Sequence, residues 1–468
     1  MIPFAPPALS GFSTLPRGWQ DHAGRDLPRY TSYPTAASFH DGITPEVARD
    51  LMAGVRPDMS LSVYLHTPFC DQLCWYCGCH TTVPNGYGRV AAFVDAVDKE
   101  IDVWAAALPV HAGTRHVHFG GGSPNSLLPG DFAHLVHRIR DAFRVLPGAE
   151  IAVELDPRSL TPDFITAMAE AGVTRVSLGV QTFDPRVQAL VNRIQPHDTI
   201  VASVAALRAA GINGINFDLM YGLPGQDVAS VQETVRLAAL LQPDRLAVFG
   251  YAHVPWFKKH QQMIQDGDLG DLAARWDMAA AAEQTLLDAG YVALGLDHYA
   301  LPGEALAVAQ AEGRLQRNFQ GYTDDAAPVL IPLGPSAIGQ FPGGYIQNAR
   351  ATNVWSQAVN GGDLAIDRGL VTTREDRLRS AIIMRLMCDQ SVDALNVAEQ
   401  CGWPAAEARA LLADSYARLA DCVAEGLCDL SGSRVTVRPE AARLLRVVAA
   451  CFDVRLPAQT EKRHAKAV

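Results

Sequence analysis

A chain of 468 residues, 49% hydrophobic and 19% charged, is long enough to bury a large core without covalent staples. Its formal net charge of −11 argues against broad binding to nucleic acid or anionic membranes, and its nine cysteines are not the dense, evenly spread set of a small disulfide scaffold. No stretch approaches the roughly 20 apolar residues of a membrane span, and the start, MIPFAPPALSGFSTLPRGWQ, lacks the basic-then-apolar order of a signal peptide, so the expectation is a cytoplasmic protein.

Residues 1–60, proline-rich from Pro3 to Pro57, read as an extended N-terminal arm. From 61 to about 300, short apolar β-type runs alternate with amphipathic helical stretches. Strands are predicted at LSVYLH (61–66), RHVHFGGG (115–122), EIAVELD (150–156), RVSLGV (175–180), GINFDLMYG (214–222) and DRLAVFGY (244–251). Helical segments such as VAAFVDAVDKEIDVWAAAL, PDFITAMAEAG and DTIVASVAALRAAG lie between them. The runs look near-continuously apolar, which suggests a parallel sheet buried on both faces and a barrel-like or open α/β fold. After about residue 370 the pattern turns helical, with REDRLRSAIIMRLMCD, AAEARALLADSYARLADCVAEG, a hairpin LCDLSGSRVTVRP and EAARLLRVVAACF. That order is winged-helix-like, but it carries no basic stripe, so core packing is expected there and DNA binding is not.

The segment HTPFCDQLCWYCGCH puts Cys70, Cys74, Cys77 and Cys79 on one short stretch. Zinc sites usually use two separated ligand pairs; here the spacing is C-x3-C-x2-C, although His66 and His80 flank it and leave zinc open. Soft thiolates grouped on one short loop also suit an iron–sulfur cluster, and three ligands at this spacing leave one iron open. HTPFC, GGGSPN, ELDPR, GVQTF and DLMYGLPG each fall at or just after the end of a predicted strand, the functional face of α/β barrels.

The C-x3-C-x2-C spacing with an aromatic before the last cysteine resembles the signature of the radical S-adenosylmethionine (SAM) enzymes, and GGGSP resembles their glycine motif. PRYTSYPTA, LGVQTFDPRVQALVNR, NFDLMYGLPGQ, FGYAHVPW, DHYALP, RNFQGYT and CFDVRL extend the likeness to the oxygen-independent coproporphyrinogen III oxidases, from about residue 25 to 455. The resemblance implies a partial (β/α)6 barrel with its substrate-facing extension over 61–365, and a mostly helical, winged-helix-like domain over 366–468. It implies a 4Fe–4S cluster on Cys70, Cys74 and Cys77, and two SAM molecules. Tyr64, Gly121, Glu154 and Ile338 match contacts of the first SAM. Tyr76, Gly122, Ser123, Gln181, Arg193, Asp218 and Ala252 match contacts of the second. A deoxyadenosyl radical made from SAM would take hydrogen from two propionates of coproporphyrinogen III, which leave as CO2 to give the vinyl groups of protoporphyrinogen IX in haem biosynthesis. A flavodoxin- or ferredoxin-type electron donor and a monomeric state follow from the same likeness.

Cys79 matches an extra cysteine of that family that is not a cluster ligand. Because the substrate carries four propionates, some of Arg29, Arg193 and Arg317 are expected to line its cleft. Tyr30, Tyr33 and 317–323 resemble segments that approach substrate, although the arm could equally be a structural strap. Two departures stand out. Pro332 and Pro335 occupy positions that are usually small or β-branched, which puts a backbone contact near Ile338 in question, and Asn125 replaces a usual threonine. Rival readings are a haem chaperone of the same superfamily, which lacks RYTSYPT and the cysteine at 79, another radical SAM enzyme of tetrapyrroles, and a redox-sensing DNA regulator.

Overall fold

The computed structural model describes residues 13–456 and Lys466, so the first part of the expected arm and the last residues of the C-terminal domain lie outside it. Six parallel strands stand side by side in chain order: β1 Leu61–Thr67, β2 Thr114–Gly121, β3 Val145–Leu155, β4 Arg175–Gln181, β5 Gly214–Tyr221 and β6 Arg245–Gly250. Every strand expected from the sequence is present, and only β3 starts clearly earlier. The helices Gly88–Ala107, Pro129–Ala142, Pro162–Glu170, His197–Ala209 and Val228–Leu240 fall between successive strands. β1 and β6 do not pair. The hairpin β7 Val292–Leu294 and β8 His298–Ala300 adds antiparallel to β6, while β9 Gln316–Asn318 and β10 Gly321–Thr323 form a separate ribbon. On the other flank β11 Val329–Leu333 runs parallel to β1, and β12 Ile338–Phe341, β13 Gly344–Asn348 and β14 Ile366–Val371 continue antiparallel, giving a partial (β/α)6 barrel in a twelve-stranded sheet.

The strands are not buried alike on both faces, as their apolar runs suggest. Leu61, Val63 and Leu65 of β1, Ile151, Val153 and Leu155 of β3, and Ile215, Phe217 and Leu219 of β5 join one core with the helices. The residues between them, such as Ser62, His116, Glu150, Arg175, Asn216 and Arg245, line a cavity inside the barrel. Strand side chains alternate faces, so the outer wall is greasy and the inner wall polar. The end of the barrel near the strand starts is tied by charge: Arg175 reaches Glu150 at 3.0 Å and Glu304 at 3.2 Å, and Arg245 reaches Glu304 at 2.5 Å.

Two boundaries differ from expectation. β14 pairs with β13 in the main sheet, so the helical part begins after it, at Thr373, whose side chain caps the helix Arg374–Asp389 in a capping box with Asp376. The arm is not extended throughout. Thr44 caps the helix Pro45–Ala53, and Ala48, Leu51 and Met52 pack into the barrel's outer core. Earlier arm residues Leu15, Ala23, Leu27, Tyr30 and Tyr33 join the core of the C-terminal domain instead. In that domain the strand Ser391–Asp393 pairs with the second strand of the hairpin Cys428–Ser431 and Arg434–Val437, a winged-helix-like arrangement.

Pro332 sits in β11 opposite Tyr64, and Gly339 of β12 faces it: a Cβ on Gly339 would lie 2.7 Å from the Pro332 ring. The missing side chain makes room for the proline. The same region is held from behind by Glu100 of the helix Gly88–Ala107, whose carboxylate accepts hydrogen bonds from Gly334 N (2.6 Å), Asn348 Nδ2 (2.7 Å) and Trp355 Nε1 (2.9 Å). Burial pushes the Glu100 carboxyl up from 4.5 to about 7, against the pull of these donors. A carboxyl raised on folding stabilises the fold fully below its unfolded value, and that contribution is lost as pH rises through about 7. Glu100→Gln turns an amide N–H2 toward one of the three donors, at an expected cost of about 1–3 kcal/mol. The gap in thermal midpoint between wild type and variant should narrow from about pH 5 to about pH 8; melts at the two pH values check both the cost and the sign.

Candidate functional site

The loop after β1 carries the four clustered cysteines. Its base is closed by Cys70 N to Thr82 O (3.1 Å) and Thr82 N to Pro68 O (2.9 Å). Three sulfurs receive donors. Thr81 Oγ1 donates to Cys70 Sγ at 3.1 Å, Arg158 and Arg193 each reach Cys74 Sγ at 3.4 Å, and the Cys79 N–H reaches Cys77 Sγ at 3.4 Å. Donors aimed at sulfur are what thiolates accept. As free thiols Cys70 and Cys77 differ: burial pushes Cys70 up to about 12, whereas hydrogen bonding from Cys79 draws Cys77 down to about 6. Among the described residues no three Cys, His, Asp or Glu side chains form a site for one metal ion; a cluster spreads its ligands over several irons.

From outside, the segment after β6 grips this loop. His260 Nε2 donates to Cys77 O (2.7 Å), Lys258 Nζ to Cys79 O (2.8 Å), and Gln261 Nε2 to Tyr76 O (2.9 Å) and Ala252 O (3.3 Å). Asn192 holds Leu73 O at 2.9 Å.

Facing the loop, β2 ends in Gly120 and Gly121, and Gly122 follows it directly. A Cβ on Gly121, whose φ is +109°, would lie 2.5 Å from His66 Nδ1, and one on Gly122 would lie 2.4 Å from Phe69 O. The backbone here passes where side chains cannot. His66 is held neutral, its pKa pushed down to about 4 by burial. It therefore donates from Nε2 to His80 O (2.8 Å) and accepts at Nδ1 from the Tyr64 hydroxyl (3.2 Å).

Thiols and glycines enclose a cavity of about 170 Å³, lined also by Tyr76, Glu154, Gln181, Arg193 and Asp218. Glu154 accepts from His118 Nε2 (2.9 Å) and Gly121 N (3.1 Å); burial would raise its carboxyl, but these contacts hold it below the usual range. Asp218 accepts from Ser177 Oγ (2.7 Å) and Asn216 Nδ2 (2.9 Å), yet burial and the nearby Glu154 push it up to about 6. Gln181 closes β4 with φ +65°, at a register shift against β5. Left-handed backbone at a non-glycine residue is strained, and such residues cluster at functional sites.

Several expected residues stand behind this wall. Tyr64 reaches the site through His66 and His118, with its ring 5.7 Å from that of His118. Ser123 is buried, its N–H bound to Phe69 O at 2.7 Å. Ala252 meets Tyr76 through Gln261, and Ile338 packs beside Phe39 and Tyr345. Arg193, expected against a ligand's carboxylate, already has a protein carboxylate. It lies 3.3 Å from Asp156 and donates to Gly179 O at 2.6 Å, with its buried Nε unpartnered. Arg29 pairs with Asp297, and buried Arg317 lies over the Tyr322 ring with its Nε and Nη1 unpartnered. Asn125 uses both ends of its amide. It takes a hydrogen bond from Asp156 N (3.0 Å) and gives one to Asp156 O (3.0 Å), so one amide ties the end of β2 to that of β3.

The sequence reading passed over Asp156 and Arg158, although both stand inside the ELDPR motif it singled out. Their signal was present: Arg158 binds Asp156 at 2.6 Å and touches Cys74. His118, His260 and Lys258 gave none, because their partners are a distant carboxylate and two carbonyls.

Residues 64–238 match the Radical SAM superfamily and residues 372–444 the HemN C-terminal domain. The chain is 47% identical to an oxygen-independent coproporphyrinogen III oxidase of Bradyrhizobium diazoefficiens, over 94% of this chain and 97% of that one. It is 40% identical to that of Paracoccus denitrificans, over 91% and 94%. Among solved structures it is similar to coproporphyrinogen III oxidase (HemN) from Escherichia coli, described as a radical SAM enzyme, with a TM-score of 0.87 and 35% identity over 92% of this chain and 98% of that one. With barrel, cysteine loop and whole-length likeness agreeing, the chain belongs to the oxygen-independent coproporphyrinogen III oxidases, a family of radical SAM enzymes.

Proposed function

We propose that the protein converts two propionates of coproporphyrinogen III to vinyl groups without oxygen, yielding protoporphyrinogen IX for haem biosynthesis. One observation carries the reading. Glu154, Ser177 and Asp218 line both the 170 Å³ cavity at the thiols and the 250 Å³ cavity inside the barrel. Cofactor and substrate sites therefore share a wall. We assign Cys70, Cys74 and Cys77 as ligands of a 4Fe–4S cluster, with Cys79 as a neighbour whose N–H steadies Cys77. The donors on the three sulfurs and the bare Gly121–Gly122 backbone fit such a group. Cys70, Cys74 and Cys77 would hold the cluster, which would supply the one-electron reduction that opens SAM to hydrogen-abstraction chemistry, while an external acceptor would take the electron released with each CO2.

The chain's own residues bind and orient. Glu154, fixed by His118 and Gly121 N, is an anionic acceptor for ribose hydroxyls or an ammonium group of the first SAM, with Tyr64 and Ile338 behind it. Gln181, Asp218 and Arg193 serve the second SAM, together with Tyr76, Gly122, Ser123 and Ala252. Arg193 offers its free Nε to a carboxylate while Asp156 holds its other end. An electron carrier of the flavodoxin or ferredoxin type supplies the cluster, and the chain acts as a monomer. Among the described residues no helix is long and apolar enough to cross a membrane. RYTSYPT and Cys79, both present here, separate this reading from the haem-chaperone branch.

Anaerobic assay of the reconstituted protein with SAM, reductant and coproporphyrinogen III tests the function, and vinyl products are expected. Cys70→Ala, Cys74→Ala and Cys77→Ala should each abolish brown absorbance and turnover, while Cys79→Ala keeps its iron. Iron counts showing the reverse would overturn the ligand assignment.

Asp218→Ala should keep the cluster and the first SAM and lose the second, because one charge-assisted hydrogen bond is worth about 1.5–3 kcal/mol, roughly ten- to a hundredfold in affinity. In the wild type that affinity should weaken as pH falls through about 6, where Asp218 protonates. Anaerobic equilibrium binding at two pH values decides; equal SAM stoichiometry and affinity in both proteins would make Asp218 structural.

A further inference from the structure

Beside β6, where the hairpin β7–β8 adds to the sheet, lies a cavity of about 70 Å³. It is bounded by the barrel, the arm and the C-terminal domain, and four arginines line it: Arg29, Arg275, Arg443 and Arg446. Two have carboxylate partners in the same wall, Arg29 with Asp297 and Arg443 with Glu283. Arg446 has none. It is 4% exposed, donates to Leu27 O at 2.9 Å and Lys466 O at 2.5 Å, and leaves its buried Nε unpartnered. Burial, then repulsion from Arg29, draws its pKa down to about 10. A guanidinium whose hydrogen bonds go only to carbonyls is costly to bury, and the attraction of Asp297, already paired with Arg29, does not restore its usual value.

We propose that this cavity is a carboxylate-binding site, and that a propionate of the substrate which does not react enters it to pair with Arg446. The size suits one arm and not a ring. At roughly 10–15 Å³ per water-sized group, the volume takes about five to seven non-hydrogen atoms, and a propionate arm has five. A guanidinium presents parallel N–H donors to the two oxygens of a carboxylate. The position suits it as well. His298 lines both this cavity and the one inside the barrel, and Phe249 of the barrel cavity lies beneath Arg29, 5.1 Å from its guanidinium carbon. A ligand with carboxylates on opposite edges can therefore lie with one edge in the barrel cavity and anchor the other at Arg446. The inference rests on the functional reading above, and it gives the C-terminal domain a direct hold on substrate.

The probe is coproporphyrin III, the oxidised, unreactive and fluorescent form, which keeps all four propionates. Arg446→Gln removes the charge, and binding should weaken ten- to a hundredfold, with KM for coproporphyrinogen III rising more than kcat falls. Because Arg446 also staples Leu27 to the C-terminal domain, a second variant separates binding from folding. Ala442 lines the same cavity, and Ala442→Asp supplies a carboxylate from within. That variant should melt at a higher temperature than wild type and still bind coproporphyrin III more weakly. The tetramethyl ester of coproporphyrin III, which has no carboxylates, should bind all three proteins alike. Wild-type affinity for coproporphyrin III in either variant overturns the site, as does an equal loss of the ester. Failure of the wild type itself to bind coproporphyrin III would instead overturn the functional reading and this inference with it.

Discussion

The inner wall of this half-barrel has to be polar while the outer wall carries the hydrophobic core, and everything else in the molecule depends on that division. A parallel strand shows alternate residues to its two faces. In β1 the sequence Leu61-Ser62-Val63-Tyr64-Leu65-His66 sends leucine and valine outward to the helices and serine, tyrosine and histidine inward. β3 repeats the pattern with Glu150, Ala152 and Glu154 inside, and β5 with Asn216 and Asp218. Stability thus comes from the interface between sheet and helices, which leaves the interior free to hold charged groups that a packed barrel core would exclude. The Glu150–Arg175–Glu304–Arg245 network then neutralises one end of that interior, so its uncompensated polarity gathers at the mouth.

At the mouth, position is set by short tethers, not by loops alone. Asn125 joins the ends of β2 and β3, Arg193 joins Asp156 to Gly179 O at the end of β4, and Gln261 joins the segment after β6 to Tyr76. Two of these tethers link neighbouring strand ends and the third bridges the unpaired β6 and β1 ends, each through one side chain that both gives and accepts, or gives twice. The cysteine loop is therefore held from several strands at once, which is what fixed ligand geometry requires.

Much of this was legible in the sequence, and the reason is local. The six strands, their order and the motifs at their ends follow from short runs whose signals are complete within ten residues. The same alternation that builds the polar wall was also written there: LSVYLH and EIAVELD have period 2, and reading them as continuously apolar hid the inner face. What could not be read depends on distance in the chain. The left-handed Gln181 comes from a register shift against β5. Room for Pro332 is made seven positions later at Gly339. The arm's Tyr30 and Tyr33 are buried because Asp453 and Val454 lie more than 400 positions away. Arg446 sits in RLLRVVAACF, where helical spacing points to ordinary core; only tertiary contact turns it toward a cavity.

The acidic balance of the chain also changes meaning once burial is known. A net charge of −11 belongs to the whole sequence, but among the described residues the buried charged side chains include Arg193, Arg245, Arg317, Arg379 and Arg446 against Glu100, Asp297, Asp376 and Asp453. Five guanidiniums face four carboxylates, so the excess acid lies on the surface. At physiological salt that exterior is screened beyond roughly 8 Å, too short a range to repel an anion already in the cleft. Inside, where screening is weak, a single unpaired guanidinium outweighs many distant carboxylates. Attraction for a carboxylate-rich molecule therefore does not need a basic protein; it needs a few arginines whose partners are carbonyls, buried where water cannot compete.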